Sequence, residues 1–189
     1  IRTLSIVLDT STHVRKMTSF VDKKVGSFSV FQLFGIIGAI LVIISFFLAW
    51  GTLDVTLLGN TDTTNYTGMD FFDKKVFAEG TDAYDAVQNM FPMICLVFAV
   101  ISLILAIIPD GIFKGNTGKI VGIIQILICI LLVVFSVLFI VWFGDQTGSI
   151  TGLLGSISLK TGAGAYLCLV GSIMIAIVGI LPLFKKAVN

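Results

Sequence analysis

Four long apolar runs without a charged residue constrain the fold of this chain more than any other feature of its sequence. The runs cover residues 30–50, 90–108, 120–143 and 163–184, and none of them contains Lys, Arg, Asp, Glu or His. A helix needs about 20 apolar residues to cross the hydrocarbon core of a bilayer. Each run therefore predicts a transmembrane helix. Together they predict a mainly α membrane protein built on a four-helix transmembrane bundle.

The composition favours a multi-pass membrane protein, with the lipid bilayer as its first partner. Of the 189 residues, 57% are hydrophobic and 12% are charged, whereas about 25% of the residues in a typical soluble domain are charged. The net charge of +1 gives no indication of a nucleic-acid partner. All three cysteines lie inside the apolar runs. Because an odd number does not indicate a disulfide framework, we expect them to act as small packing residues.

The distribution of basic residues predicts the orientation of the chain. Segments 1–29, 109–119 and 185–189 hold nine Lys and Arg residues, and loops 51–89 and 144–162 hold three. Loops on the cytoplasmic side of a membrane carry the excess of Lys and Arg. We therefore expect both termini in the cytoplasm, the two loops outside, and the protein in the cell membrane.

The first loop opens with a change of pattern that predicts a strand. After Trp50 the sequence TLDVTLLG, residues 52–59, alternates apolar and polar side chains, which is the period of a half-buried strand. The apolar members of this alternation are expected to bury together on one face: Leu53, Val55 and Leu57. Trp50 and Trp142 fall at the outer ends of their runs, where we expect their amphipathic rings to be interface anchors.

The remaining loop segments predict a small extracellular β-sheet and a short extracellular helix. We expect a turn at 59–65, a returning strand at 66–72, and a helix that begins near Thr81 in the sequence TDAYDAVQNMF. A short alternating segment at 156–160 predicts one more strand, in the second loop. These elements would stand on the outer ends of the helices.

Small residues within the runs predict where helices touch. Such residues recur at every fourth position in the fourth run, and the first run has a pair at the same spacing: Gly164, Cys168, Ser172 and Ala176, with Gly35 and Ala39. A stripe of small side chains lets a second helix backbone approach closely. We therefore expect these residues to be sites of helix packing.

Two amide side chains, Gln32 and Gln125, lie at similar depth in the cytoplasmic halves of their runs. A hydrogen bond between them would hold the first and third helices together and would be worth about 0.6–2 kcal/mol. The alternative is that they line a polar path through the bundle. The lack of a nearby charge in the sequence favours the hydrogen bond.

The sequence has no arrangement typical of an enzyme, and we expect no catalytic residue and no cofactor. The runs contain no ionisable residue of the kind that moves protons or ions, and the single histidine, His13, lies in the N-terminal tail. The carboxylates of Glu79, Asp82 and Asp85 are weak candidates for a calcium site, although a solvated acidic surface is the favoured interpretation. Asn65 opens an Asn-Tyr-Thr triplet and is a candidate for glycosylation.

The start of the chain leaves two alternatives open. The sequence AWG at 49–51 resembles a signal-peptide cleavage site, but the apolar part of a signal peptide has only about 7–15 residues, so a membrane helix is favoured for the first run. Met17 is a candidate native start. In that case residues 1–16 would not belong to the native protein.

The topology and two sequence features resemble the claudin-like superfamily of four-span membrane proteins. The shared features are a long first loop that opens with Trp50, a short second loop, and the fourth-run sequence TGAGAYLCLVGSIMIAIVGILPLF. The family's Gly-Leu-Trp motif and paired loop cysteines are absent from this chain. The resemblance covers about residues 28–186.

Two functions fit these observations. The uncharged runs favour a non-enzymatic structural or interaction module, whose outer loops contact copies of itself or other membrane or cell-surface proteins, within a larger assembly. The resemblance to claudins implies the alternative, a pore-forming or transport component with acidic, cation-preferring outer loops. Loop 51–89 holds seven acidic residues against two lysines.

Overall fold

A computed structural model describes most of the chain, namely residues 24–25, 28–108, 116–146, 148–152 and 155–187. The predictions made for residues 1–23, for residues 109–115 of the predicted cytoplasmic loop, and for residues 188–189 lie outside this range.

Four long helices form the body of the molecule, and each coincides with one of the four apolar runs. They are α1 Val30–Phe47, α4 Phe91–Ile107, α5 Asn116–Gln146 and α6 Ala163–Ala187. Proline at position 92 is tolerated because it lies in the first turn of α4, where its missing N–H would have no partner within the helix.

Two helical segments are long and apolar enough to cross a membrane, judged by length and composition: Val87–Ile107 and Gly122–Gln146. The other two long helices contribute shorter apolar segments within the described residues, Gln32–Phe47 and Ala163–Val178. The structure therefore gives a mostly helical protein with two candidate membrane spans, where the sequence predicted four.

The long helices pack as a bundle in which each one has two main neighbours. Helix α1 packs against α4 and α6, and α5 packs against the same two helices. Side chains without exposed surface fill the centre, among them Ala39, Cys95, Leu132 and Ile175. Three buried serine hydroxyls, those of Ser45, Ser136 and Ser172, donate within their own helix, as where Ser172 Oγ donates to the carbonyl of Cys168 at 2.7 Å.

A four-stranded antiparallel sheet stands at one end of the bundle, with the strand order β4-β3-β6-β5. Its strands are β3 Ala49–Leu57, β4 Asn60–Thr67, β5 Gly148–Gly152 and β6 Gly155–Thr161. A separate pair of two-residue strands, β1 Lys24–Val25 and β2 Phe28–Ser29, precedes α1. Because β3 pairs with β6, the first and second loops share one sheet.

The strands predicted at 52–59 and 156–160 are confirmed as β3 and β6, but the expected turn at 59–65 is wrong. The chain turns at Leu58 and Gly59, and β4 follows at once. The threonines of β4 explain the difference, because β-branched side chains favour extended structure. Strand β5 was not predicted, since its sequence GSITG shows little alternation.

The returning strand expected at 66–72 is also wrong, because this segment contains a helix, α2 Gly68–Phe72. Thr67 caps it: the Thr67 hydroxyl accepts from the Asp70 backbone N–H, and the Asp70 carboxylate accepts from the Thr67 backbone N–H. This reciprocal capping box satisfies two backbone donors at the start of the helix. The signal was readable in the sequence as Thr-x-x-Asp.

The helix predicted from Thr81 is shorter than expected. Helix α3 covers Asp82–Asp85, with the Thr81 hydroxyl accepting from the N–H of Tyr84, and a 3₁₀ turn at Val87–Met90 then leads into α4. The side-chain nitrogen of Asn89 donates to the carbonyls of Ala83 and Tyr84. These bonds replace the backbone partners that a continued helix would supply, so α3 ends early.

Candidate functional site at the sheet end of the bundle

One face of the sheet is polar, and Asp54 ties it together at its centre. The Asp54 carboxylate accepts from Thr63 Oγ1 on β4 at 2.8 Å and from Lys160 Nζ on β6 at 2.8 Å. These hydrogen bonds, the one from Lys160 foremost, hold the pKa of Asp54 below its ordinary value, because both stabilise the charged form. One carboxylate therefore links three strands.

The opposite face of the sheet carries the apolar side chains of β3 and β6 beside polar side chains of β4, such as Asp62 opposite Val55, and becomes more exposed toward the turn that joins β3 to β4. Val55 pairs with Ile157 across the two central strands. We call the exposed end of this face the apolar tip, and it consists of Leu57, Leu58 and Ile157, which are 57%, 82% and 46% exposed. The expectation that Leu57 buries with Leu53 and Val55 is therefore wrong, because β3 contacts the bundle at its first residues and leaves it toward its last.

Leu58 occupies an unfavourable backbone conformation at the apolar tip. Its φ is +50° and that of Gly59 is +85°. Two consecutive positive φ values are typical of the tight hairpin turn in which Asn-Gly is the preferred sequence. A leucine in this region costs about 1–2 kcal/mol because its Cβ crowds the backbone. Because the Leu58 side chain also buries little surface, its packing does not offset the cost of this backbone conformation. Local stability therefore does not explain why leucine occupies this position.

The base of the sheet is fixed to the bundle by Trp50. Its side chain has no exposed surface, its Nε1–H donates to the carbonyl of Ser45 at 2.6 Å, and its ring packs edge-on against Phe139 with centroids 4.9 Å apart. The prediction that Trp50 is an interface anchor is wrong, because a fully buried ring cannot lie among lipid headgroups. Trp142 is half-buried at the same end of the bundle.

Further aromatic rings hold the first loop against α5. Phe71 on α2 packs edge-on against Phe139 and Phe143, with centroids 5.1 and 5.3 Å apart. The ring of Phe77, which follows α2 in the chain, packs edge-on against the ring of Trp142, with centroids 5.7 Å apart. Edge-on aromatic pairs contribute about 0.5–1.5 kcal/mol each beyond the area they bury. The loop is therefore packed onto the bundle at this aromatic cluster.

Glycines allow the sheet and the helices to approach closely here. The N–H of Gly162 donates to the carbonyl of Trp50 at 2.8 Å. A Cβ atom at Gly164 would lie 2.7 Å from Trp50 Cδ1, and one at Gly51 would lie 2.7 Å from Phe143 Cζ. Real Cβ atoms do not approach so closely, so larger residues at these two positions would displace the sheet.

The predicted packing residues lie between helices. Gly35 on α1 is buried near Val178 of α6, and Ala39 has no exposed surface. On α6, Gly164 is buried, Cys168 and Ser172 have no exposed surface, and Ala176 is half-buried. The thiol of Cys168 also contacts Ser136 Oγ of α5 at 3.2 Å, so this stripe faces the centre of the bundle.

Sequence reasoning missed a close approach of two helices, between Gly38 of α1 and Gly171 of α6. A Cβ at Gly38 would lie 2.9 Å from the carbonyl oxygen of Gly171. A Cβ at Gly171 would lie 2.7 Å from the carbonyl oxygen of Gly38. The available signal was a glycine in the middle of each apolar run. It could not pair the two residues, because sequence spacing within one helix does not say which partner lies opposite.

The structure gives Gln125 a different partner from the predicted one. Its Nε2 donates to Ser102 Oγ on α4 at 2.7 Å, and its Oε1 is buried without a hydrogen-bond partner among the described residues. Helix α4 is a neighbour of α5, whereas Gln32 lies on α1, which packs against α4 and α6. The expected pairing with Gln32 is wrong because the depth of a residue along its helix does not reveal which helices are neighbours in the bundle.

The acidic residues of the first loop do not converge. Asp85 pairs with Lys74 at 3.2 Å and Asp73 pairs with Lys75 at 3.0 Å, while Glu79 and Asp82 are exposed. Within the described residues, no group of three or more His, Cys, Asp or Glu side chains is arranged to hold a metal. The candidate glycosylation residue, Asn65, is exposed on the edge strand β4 rather than in the expected turn.

Neither any protein-family model nor any curated protein sequence matches the chain.

Proposed function

We propose that the chain is a multi-pass membrane protein in which all four long helices cross the bilayer. The observation that carries this proposal is the apolar outer surface of the bundle. On α1, large apolar side chains recur every three or four residues and are exposed: Phe34, Ile37, Ile40 and Ile44. The centre of the bundle, in contrast, contains fully buried serines: Ser45, Ser102, Ser136 and Ser172.

The other long helices carry exposed apolar stripes of the same kind, among them Val97, Ile101 and Ile104 on α4, Ile123, Leu127, Val134 and Val141 on α5, and Val170, Ile173 and Ile177 on α6. Soluble monomeric proteins rarely expose contiguous apolar patches larger than a few hundred Å². Lipid hydrocarbon is the medium in which such a surface is stable. This argument extends the two candidate spans to all four helices.

In this proposed arrangement, the sheet lies outside the cell and both termini lie in the cytoplasm. The nine-to-three distribution of basic residues supports this orientation. The test uses single cysteines at Asn65 and Ser149 on the sheet and at Ala187 at the far end of α6. The native cysteines Cys95, Cys129 and Cys168 are buried and give little background.

An impermeant maleimide applied to intact cells should label the first two positions and should not label Ala187→Cys until the membrane is opened. Labelling at position 187 in intact cells would reverse the orientation. Release of the parent protein from membranes by alkaline carbonate would overturn the membrane proposal itself.

The proposed role of the sheet is that of a non-enzymatic interaction module, with the apolar tip as its contact surface for a neighbouring copy or another membrane or cell-surface protein. Two properties of Leu58 support this role. Its side chain is the most exposed large apolar side chain among the described residues, and its backbone has an unfavourable φ. Unfavourable backbone conformations of this kind cluster at functional sites.

Leu58→Asn separates this role from a role in stability. Asparagine suits the positive φ of the turn, so the sheet should stay folded while the apolar contact is lost. The measurement is quantitative mass spectrometry of proteins crosslinked to the chain in its own membranes. Partners should fall with Leu58→Asn and persist with Val87→Asn, a control that removes another exposed apolar side chain, 65% exposed and away from the sheet. Unchanged partners in both variants would contradict the proposal.

The alternative function, a pore with cation-preferring loops, has less support. Packed side chains fill the centre of the bundle in the part of the chain that the structure describes, and the apolar runs carry no charge. The relationship to claudin-like proteins stays a prediction from the sequence.

A further inference from the structure

Two cavities lie on the seam between α5 and α6. The upper one, next to the sheet, has a volume of about 410 Å³ and is lined by Ile140, Gly144, Leu159, Lys160, Thr161 and Tyr166. The lower one has a volume of about 200 Å³, and its lining from both helices includes Ile126, Cys129, Val133 and Ala176. The upper volume is within the range of about 300–1,000 Å³ that is typical of sites for small organic ligands, and the lower volume is below that range.

The two cavities face the same side of α5. Ile126, Val133 and Ile140 follow one another at intervals of seven residues, which is close to two helical turns, so they share one face. The rise of about 1.5 Å per residue places Val133 and Ile140 on the order of 10 Å apart along the helix. A single chain-like molecule of lipid size would therefore reach both cavities.

The chemistry of the cavities changes from one end of the seam to the other. The upper cavity includes the hydroxyl-bearing side chains of Thr161 and Tyr166, neither of which has a side-chain hydrogen bond to another described residue. Lys160 also lines it, although its ammonium bonds Asp54 on the polar face of the sheet. The lower cavity is lined by aliphatic side chains and one thiol. This order, hydroxyl donors above and hydrocarbon below, is complementary to an amphiphile with an ester-bearing head and an acyl chain.

We propose that a glycerophospholipid of the surrounding bilayer occupies this seam, with its glycerol ester region in the upper cavity and an acyl chain running down to the lower one. The inference rests on the membrane location argued above. Tyr166 is followed along α6 by the exposed apolar side chains of Val170, Ile173 and Ile177. The path between the two cavities therefore borders on the proposed lipid-facing surface. The lipid would fill the groove between the two helices and the underside of β6.

Gly144 provides the sharpest test, because it lines the upper cavity and a Cβ added there meets no atom within 4 Å. Gly144→Leu therefore adds a branched side chain at the wall of the upper cavity, where its Cβ meets no other atom within 4 Å. Gly144→Ala is the matched control, because it removes the glycine backbone freedom and leaves most of the cavity empty. Tyr166→Phe removes one hydroxyl and leaves the shape unchanged.

The probe is a phosphatidylcholine with a diazirine in one acyl chain, incorporated into phosphatidylcholine vesicles that hold the purified protein. Irradiation should label α5 on the Val133 face more strongly than on the Leu138 face, which is exposed on another side of the helix. Gly144→Leu should lower labelling near Val133 by about tenfold, which corresponds to about 1.4 kcal/mol of lost contact. Gly144→Ala should label like the parent, and Tyr166→Phe should fall between the two.

Equal labelling of both faces of α5 in the parent, or unchanged labelling in Gly144→Leu, would overturn the lipid site. Either result leaves the membrane proposal standing if alkaline carbonate still fails to extract the protein. Extraction of the parent by carbonate would instead overturn the membrane proposal, and the lipid site with it.

Discussion

In the bundle, α1 and α6 lie so close at Gly38 and Gly171 that neither residue has room for a Cβ, and three buried serine hydroxyls donate to carbonyls of their own helices. In the sheet, strands are joined across a polar face where Asp54 accepts from two neighbours. The first region gains its cohesion from close packing, which depends on the size of side chains. The second gains its cohesion from hydrogen bonds to the Asp54 carboxylate, whose charge depends on pH. The same chain thus uses two kinds of cohesion, close packing in the bundle and polar hydrogen bonds in the sheet.

Trp50 belongs to both regions, and its loss should have the largest effect. Trp50→Ala should lower the free energy of unfolding by about 3–5 kcal/mol, the usual cost of removing a large buried aromatic side chain. The bundle should remain in the membrane while loop 51–89 becomes sensitive to protease added on the sheet side. The half-buried Trp142→Ala is the comparison, and equal protease sensitivity of the two variants would contradict this role for Trp50.

Gly171→Leu should damage the bundle and leave the sheet intact. The new side chain would meet the carbonyl of Gly38 on α1, and overpacking of this kind costs about 1–3 kcal/mol. Gly122→Leu is the matched control, because a Cβ at Gly122 on α5 meets no atom within 4 Å. Thermal unfolding in detergent measures both, and equal melting temperatures would show that α1 and α6 do not touch at this point.

Acid should weaken the sheet before it affects the bundle. The pKa of Asp54 is lower in the folded chain than its ordinary value, so the charged carboxylate stabilises the sheet at neutral pH. This contribution is lost as the pH falls through the depressed pKa. Hydrogen exchange of the β3 amides, relative to the intrinsic exchange rate at each pH, should therefore rise in acid in the parent. In Asp54→Asn it should already be high near neutral pH and change less, and identical profiles would contradict the prediction.

The smallest expected effect is a gain in stability at the apolar tip. Leu58→Asn should stabilise the sheet by about 1 kcal/mol, because asparagine tolerates a positive φ better than leucine does. Leu57→Asn, at a strand position next to it, should bring no gain. Slower unfolding of the sheet, followed by hydrogen exchange of the β3 amides, is the measurement. Faster exchange in Leu58→Asn would mean that leucine is preferred at this turn for its own packing.

Patterns within one segment were readable from the sequence, and relations between segments were not. The uncharged runs gave the positions of the four long helices, and the alternation after Trp50 gave β3. The contact of Gly38 with Gly171 and the partner of Gln125 depend on which helices are neighbours, and that information is spread over the whole chain. The burial of Trp50 could not be predicted for the same reason. A tryptophan at the end of an apolar run has the same local sequence pattern whether lipid or Phe139 lies beside it.

The strand order has a consequence for the making of the protein. Strand β3 lies between its sequence neighbour β4 and β6, and the Asp54–Lys160 bond joins residues separated by 106 positions. During synthesis the β3–β4 hairpin exists before β6 has been made, so one side of β3 then presents unpaired backbone groups, a known site for wrong pairing. Pairing of β3 with β6 therefore requires that the chain up to the start of α6 has been made, and an immature copy differs from a finished one in that the edge of β3 is unpaired.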